Sequence, residues 1–158
     1  MKTHIQVRAV GKPQESWGKE AAQMYLTRSA AFGKFEVLEA AEGHQGSAKP
    51  DVRKAQRWEA ESLLKNLPED AYLIALDEHG KQFTSEEFSS VLIREADLGR
   101  PIVFFIGGSW GLDEELLSKV NLKLSFGKMT LPHSLARVVL LEQIYRALMI
   151  SEGRTYHK

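Results

Sequence analysis

Ile5, Val7 and Ala9 alternate with His4, Gln6 and Arg8, a period of two that predicts a half-buried strand ending at Gly11-Lys12-Pro13. A helix follows, with Trp17, Ala21, Met24 and Tyr25 on one face. Phe35 to Leu38 reads as a second short strand. Ala41 to Pro50 has Gly43, Gly46, Ser47 and Pro50 and no apolar period, so it reads as a mobile loop. Asp51 to Leu67 is predicted helical, with Val52, Ala55 and Trp58 leading to Leu63 and Leu67. Tyr72 to Leu76 is a continuous apolar strand closed by Asp77-Glu78-His79-Gly80. Thr84 and Glu87 have the spacing of a capping box before a helix bearing Phe88, Val91 and Leu92. Gly99-Arg100-Pro101 ends that helix, and Ile102 to Ile106 is the most hydrophobic strand of all.

The last third continues the alternation. Gly107-Gly108-Ser109-Trp110-Gly111 turns the chain into a helix carrying Leu116, Leu117 and Val120. Lys123 to Phe126 is a short strand, and Gly127 to Pro132 is a loop. Pro132 suits the first turn of a helix, with Thr130 and Ser134 both plausible N-caps. The final helix is apolar over a wide arc: Leu135, Val138, Val139, Ile144, Tyr145 and Leu148 fall at helical spacing, and Leu140 and Leu141 extend the arc. So wide a face calls for more than one neighbour. Its own sheet is one, and a second chain is a candidate for the other. About five strands alternating with helices, the later strands apolar throughout, predict an α/β fold with a parallel sheet covered on both faces.

Composition adds bounds. A chain of 158 residues with 43% hydrophobic content can bury one core, so residues 1–158 are read as a single domain. The absence of cysteine removes disulfide and thiolate chemistry and suits a cytoplasmic protein. No apolar run is long enough to span a bilayer, and MKTHIQVRAVGK has no signal-peptide core. Lys plus Arg is 21 and Asp plus Glu is 21, so nucleic acid cannot be gripped by bulk charge; a local basic patch, or patches pooled by two chains, would be needed.

Ligands of open parallel sheets lie beyond the carboxyl ends of the strands. Three loops there hold suitable residues: Asp77 to Gly80, Gly107 to Gly111, and Gly127 to Pro132. Gly107 and Gly108 either let a ligand approach the backbone or simply make a tight turn. Gly127-Lys128-Met129 is no P-loop: Leu122 replaces the first glycine and no Ser or Thr follows Lys128. Gly107 to Gly111 is not G-x-G-x-x-G, and no acid ends the next strand, which counts against a dinucleotide-dependent oxidoreductase. His4, His44, His79, His133 and His157 have no paired ligand spacing, so no metal is expected.

Ile106-Gly107-Gly108, TLPHSLARVVLLEQIYRA from Thr130 to Ala147, and the terminal Tyr156-His157-Lys158 together resemble the bacterial ribosomal RNA large subunit methyltransferase H family over the whole chain. The resemblance implies a SPOUT fold with a deep C-terminal trefoil knot, and S-adenosyl-L-methionine as cofactor. It further implies a homodimer acting on N3 of a pseudouridine in 23S rRNA, within the assembled ribosome. Carried onto this chain, it gives Leu76, Gly108, Gly127, Lys128, Met129, Thr130, Leu131 and Pro132 as cofactor contacts. Gly108 is then expected where a larger side chain would occupy ligand space. Arg146, Arg154, Tyr156, His157 and Lys158 are the expected RNA contacts, with a helix-surface ion pair to Glu142 as the other reading of Arg146. The target nitrogen must lose a proton, and His133, Tyr156 and His157 are the candidate bases; the sequence does not choose among them. The competing reading is a non-catalytic ribosome-binding or assembly factor that keeps the fold.

Overall fold

A computed structural model describes residues 3–43, 49 and 51–157, for His157 the backbone only. Its five strands are β1 (Thr3–Val10), β2 (Gly33–Ala40), β3 (Tyr72–Gln82), β4 (Ile102–Ile106) and β5 (Leu122–Ser125). They form one sheet in the order β2-β1-β4-β3-β5, with every neighbouring pair parallel. The helices are α1 (Ser16–Ser29), α2 (Val52–Leu63), α3 (Ser85–Asp97), α4 (Glu114–Lys119) and α5 (His133–Ser151). A short 3-10 turn spans Thr155–His157.

Strand β4 shows why the layers form. All five of its residues are buried, and strand periodicity sends them alternately to two cores. Ile102, Phe104 and Ile106 join the core under α1, α3 and α5, and Val103 and Phe105 join the one under α2 and α4. Burying each phenylalanine contributes about 2–3 kcal/mol. Helix α3 starts as its spacing predicts: Thr84 Oγ1 accepts the Glu87 N–H at 3.1 Å, and Glu87 returns a bond to the Thr84 N–H at 2.8 Å. Among the described residues, no helix is long and apolar enough to cross a membrane.

Several elements depart from the pattern. Strand β1 is not half-buried: it is an interior strand between β2 and β4 with a core on each face, Ile5, Val7 and Ala9 on one side and Val10 on the other. Its polar residues are satisfied inside: Arg8 donates to the carbonyls of Leu63 at 2.9 Å, Lys65 at 2.6 Å and Asn66 at 3.0 Å, and to Gln6 Oε1. The guanidinium therefore caps the carboxyl end of α2 from below. Burial lowers its pKa from the usual value. Arg8→Met is expected to cost about 3 kcal/mol, since three carbonyls lose a charged donor. Urea unfolding would read this as a lower midpoint with an unchanged slope; an unaltered midpoint would show that water replaces the arginine.

In α1 the predicted face holds only in part: Tyr25 packs against the core, but Trp17 and Met24 are exposed, and Gly18, Ala22 and Ser29 are buried. Small residues at helical spacing let α1 approach its neighbours closely, a stripe that an apolar count overlooks. Helix α2 ends at Leu63 rather than Leu67, with Ala55, Glu59 and Ala60 inside and Val52 and Trp58 exposed. Strand β3 does not end at Leu76. Its pairing with β5 jumps from Leu76 to Lys81, so Asp77 to Gly80 bulge out of a longer strand. Of the loop expected at Ala41 to Pro50, residues 44–48 and 50 lie outside the described residues.

Helix α5 finds its second neighbour within the chain. Leu140, Leu141, Ile144, Ala147, Leu148 and Met149 are buried, packed in the core between α1 and α3. Its polar positions are also engaged: Arg137, 5% exposed, pairs with Glu39 and donates to the Gly11 carbonyl at 2.9 Å. Most of the apolar arc is thus covered within the chain, while Leu135 at its start stays exposed. Pro132 is the N-cap, and neither Thr130 nor Ser134 caps the helix by a side chain.

Candidate active site

The three loops flagged at the strand ends meet around one cavity of about 980 Å³. Pocket volumes for small molecules run from about 300 to 1,000 Å³, so a ligand of nucleoside size or larger fits. Leu76, Ile106, Leu117 and Leu124 give it apolar walls, and Asp77, Glu78, Ser109 and Thr130 give it polar ones. The cavity thus lies at the carboxyl ends of β3, β4 and β5.

Each loop is locally fixed. After β4, the Gly111 N–H bonds back to the Gly108 carbonyl at 3.1 Å. A Cβ on Gly107 would stand 2.6 Å from the Gly111 carbonyl carbon, so only glycine permits this turn. Gln56 of α2 donates to the Trp110 carbonyl at 2.7 Å and pins the tip. At the other wall, buried Ser125 joins two loops. Its hydroxyl lies 3.0 Å from the carbonyl oxygens of both Glu78 and Gly127, and it accepts the Gly127 N–H. Thr130 donates to Glu78 Oε2 at 2.8 Å across the same gap.

Of the expected cofactor residues, Leu76, Gly108, Gly127, Met129, Thr130, Leu131 and Pro132 line this cavity. Lys128 is exposed and does not. Met129 is 86% exposed, so it is no core residue. Trp110, His79 and Ala136 also line the cavity and were not singled out beforehand. Trp110 and His79 fall within loops the sequence flagged; Ala136 had no signal, since an alanine in an apolar helix reads as packing.

The remaining candidates divide along α5. His133 opens the helix and lines the cavity, and its buried Nδ1 has no hydrogen-bond partner among the described residues. Tyr156 lies past the far end, and 19 helical residues span about 28 Å. There Tyr156 packs edge-on to Tyr145 with centroids 5.0 Å apart, and its hydroxyl donates to Glu142 Oε1 at 3.2 Å. Arg146 is held by the same carboxylate at 2.6 Å and stacks over the Tyr156 ring, while the Arg154 guanidinium lies over Phe32. Arg154 and Tyr156 are therefore folded onto the helix layer rather than frayed. His157's side chain and Lys158 lie outside the described residues.

Burial, with the neighbouring Tyr25 and Glu142, pushes the Tyr156 phenol up to about 12. At neutral pH this hydroxyl is a donor, not a base. Because the folded pKa is raised above the unfolded one, its contribution to stability is full below pH 10 and is lost as pH climbs toward 12. An ultraviolet titration should show a last tyrosine ionising near 12 that disappears in Tyr156→Phe; a curve unchanged by that substitution would contradict the assignment.

A family model described as "Predicted SPOUT methyltransferase" matches residues 2–157. The chain belongs to the SPOUT methyltransferase family. Proteins called "Ribosomal RNA large subunit methyltransferase H" are similar along nearly their whole length. The one from Pelotomaculum thermopropionicum is 43% identical over 157 residues, covering 98% of each chain. That from Caldicellulosiruptor saccharolyticus is 40% identical over 154 residues, covering 98% of this chain and 99% of its own. That from Bacillus thuringiensis is 40% identical over 158 residues, with the same shares. A solved Legionella pneumophila protein, titled a methyltransferase in complex with SAM, is alike in fold with a TM-score of 0.51 at 13% identity. The match covers 92% of this chain and 66% of that one, a little under two thirds of its length. The SPOUT assignment agrees with the parallel five-stranded sheet and with a cavity at the carboxyl ends of its strands.

Proposed function

We propose that this SPOUT methyltransferase uses S-adenosylmethionine to methylate large-subunit ribosomal RNA, and that its target is N3 of a pseudouridine on the assembled ribosome. The observation that carries the reading is the cavity between the β3 bulge, the β4–α4 turn and the β5–α5 loop. Its chemistry fits the cofactor: turn backbones offer amides and carbonyls to an adenine edge, Leu76 and Leu131 flank apolar faces, and Asp77 and Glu78 suit hydroxyls and positive charge. When bound, the cofactor supplies an electrophilic methyl group. The chain's task is then to orient the two reactants, exclude water and receive one proton. His133 is the base candidate at the cavity of its own chain, while Tyr156, distant and with a raised pKa, would act as a donor or stacking group.

A homodimer belongs to the same proposal, on apolar surface at the start of α5 and in the loop before it. Phe126, Met129 and Leu135 leave apolar surface exposed beside the cavity, where a second chain would cover it. The tail lies a helix length from the cavity, so a tail that contacts RNA at the reacting site must come from the partner. The C-terminal trefoil knot and a cytoplasmic home follow from the same reading. The test is incubation with labelled S-adenosylmethionine and ribosomes, subunits or protein-free rRNA, followed by nucleoside analysis by mass spectrometry. Label in 3-methylpseudouridine is expected. Label in another nucleoside would overturn the target, and cofactor binding without any transfer would favour an assembly factor.

A further inference from the structure

Arginines elsewhere in this chain are mostly engaged: Arg8 and Arg137 are buried, Arg100 pairs with Glu95 and Arg146 with Glu142. Arg53, Lys54 and Arg57 are different. They are exposed on the first two turns of α2, and no side-chain bond or ion pair of theirs occurs among the described residues. Local energetics disfavours them there. A helix N-terminus repels cations, yet α2 has no acid in its first turn, and Arg53 and Arg57 are like charges at i and i+4. The carboxylate of Asp51 is occupied in capping the Lys54 N–H, and Glu61, one turn on, does not pair with Arg57. Three cations that weaken their own helix point to a partner outside the chain.

Their placement indicates which partner. Helix α2 leads back to the start of a parallel strand, so its N-terminus lies at the carboxyl end of the sheet, the end that holds the cavity. Gln56, between the cations, bonds directly to the Trp110 carbonyl on the cavity rim. Trp110 is 42% exposed and gives the rim an aromatic face on which a base can stack. With zero formal net charge, the chain needs a local patch to hold a polyanion.

We infer that the exposed face of α2, through Arg53, Lys54 and Arg57, binds the phosphodiester backbone of the RNA substrate beside the cavity mouth. The inference rests on the reading of RNA as the substrate. Its test compares two charge-matched variants. In one, Arg53→Gln, Lys54→Gln and Arg57→Gln are combined. In the other, Lys34→Gln, Lys65→Gln and Lys119→Gln remove the same charge at the opposite end of the sheet. Affinity for a fluorescein-labelled, protein-free fragment of 23S rRNA is measured across a salt series. The α2 variant should bind about tenfold or more weakly, and its log-affinity against log-salt slope should be shallower by about two to three. The control should match the wild type, and calorimetric affinity for S-adenosylmethionine should be unchanged in both. Equal effects of the two variants, or no effect of either, would overturn the inference. So would an α2 defect seen only with ribosomal subunits, which would assign the face to a ribosomal protein. A wild type that binds this RNA through α2 but transfers no methyl to any RNA would refute the activity and leave the binding face standing.

Discussion

Gly108→Ala is expected to lower affinity for S-adenosylmethionine about tenfold or more, and Val10→Ala in the same chain is expected to restore most of it. The sequence suggested that a side chain at Gly108 would enter ligand space; the geometry gives another mechanism. The added Cβ would stand 2.9 Å from Val10 Cγ1 and 3.8 Å from Glu59 Oε2, so it meets protein first. Val10 is 2% exposed and, being β-branched, cannot swing aside. Overpacking of this kind costs about 1–3 kcal/mol, and the loop can relieve it only by moving. That loop is a cavity wall. A loss of about 1.4 kcal/mol in binding is tenfold in affinity. Truncating Val10 removes the nearest atom and leaves its Cβ at 3.4 Å, a tight but tolerable contact. Calorimetry on wild type, single and double variants reads the result. Unchanged affinity in the single variant would remove Gly108 from the cofactor site, and a double variant no better than the single would refute the contact with Val10.

The second large effect concerns the tail. Deleting Arg154 to Lys158 is expected to reduce methylation by about 100-fold or more while sparing cofactor affinity, a loss near 2.7 kcal/mol in the transition state. Tyr156 and Arg154 are ordered against Tyr145 and Phe32, so the tail presents fixed groups rather than a loose end. In its own chain it lies the length of α5 from the cavity. Function there requires a site built by two chains. Mixing the truncated chain with Gly108→Val, whose larger side chain is expected to abolish cofactor binding, should then recover roughly a quarter of wild-type activity, since random exchange of a two-fold dimer gives one intact site in half the dimers. Because deletion also removes packing against α5, Tyr156→Ala in the full chain serves as a milder variant. Full activity in both would refute a role for the tail. No recovery despite confirmed subunit exchange would mean each site is built from one chain.

The fold was legible where one physical signal dominated. Ile102 to Ile106 had to be an interior strand, and Thr84 with Glu87 had to start a helix, because no other conformation satisfies those residues as well. Strand β1 misled because Gln6 and Arg8 look like a wet face. Only the approach of α2, with its carbonyls at Leu63, Lys65 and Asn66, makes a buried arginine affordable there. The α1 face misled for the opposite reason: close packing selected Gly18 and Ala22, and left Trp17 outside. At the candidate site, the glycines and Pro132 marked the right loops, since backbone turns have sequence signatures. Ser125 and Ala136 had none. Their places depend on the β3 bulge and the entry angle of α5, which are tertiary facts.

A crystal structure of the chain grown with saturating S-adenosylmethionine tests the central claim most directly. One ligand per chain is expected in the cavity between the β3 bulge, the Gly107 to Gly111 turn and the β5–α5 loop, within contact of Leu76, Thr130 and Leu131. Ligand density elsewhere on the chain, or an empty cavity at saturating ligand, would contradict it.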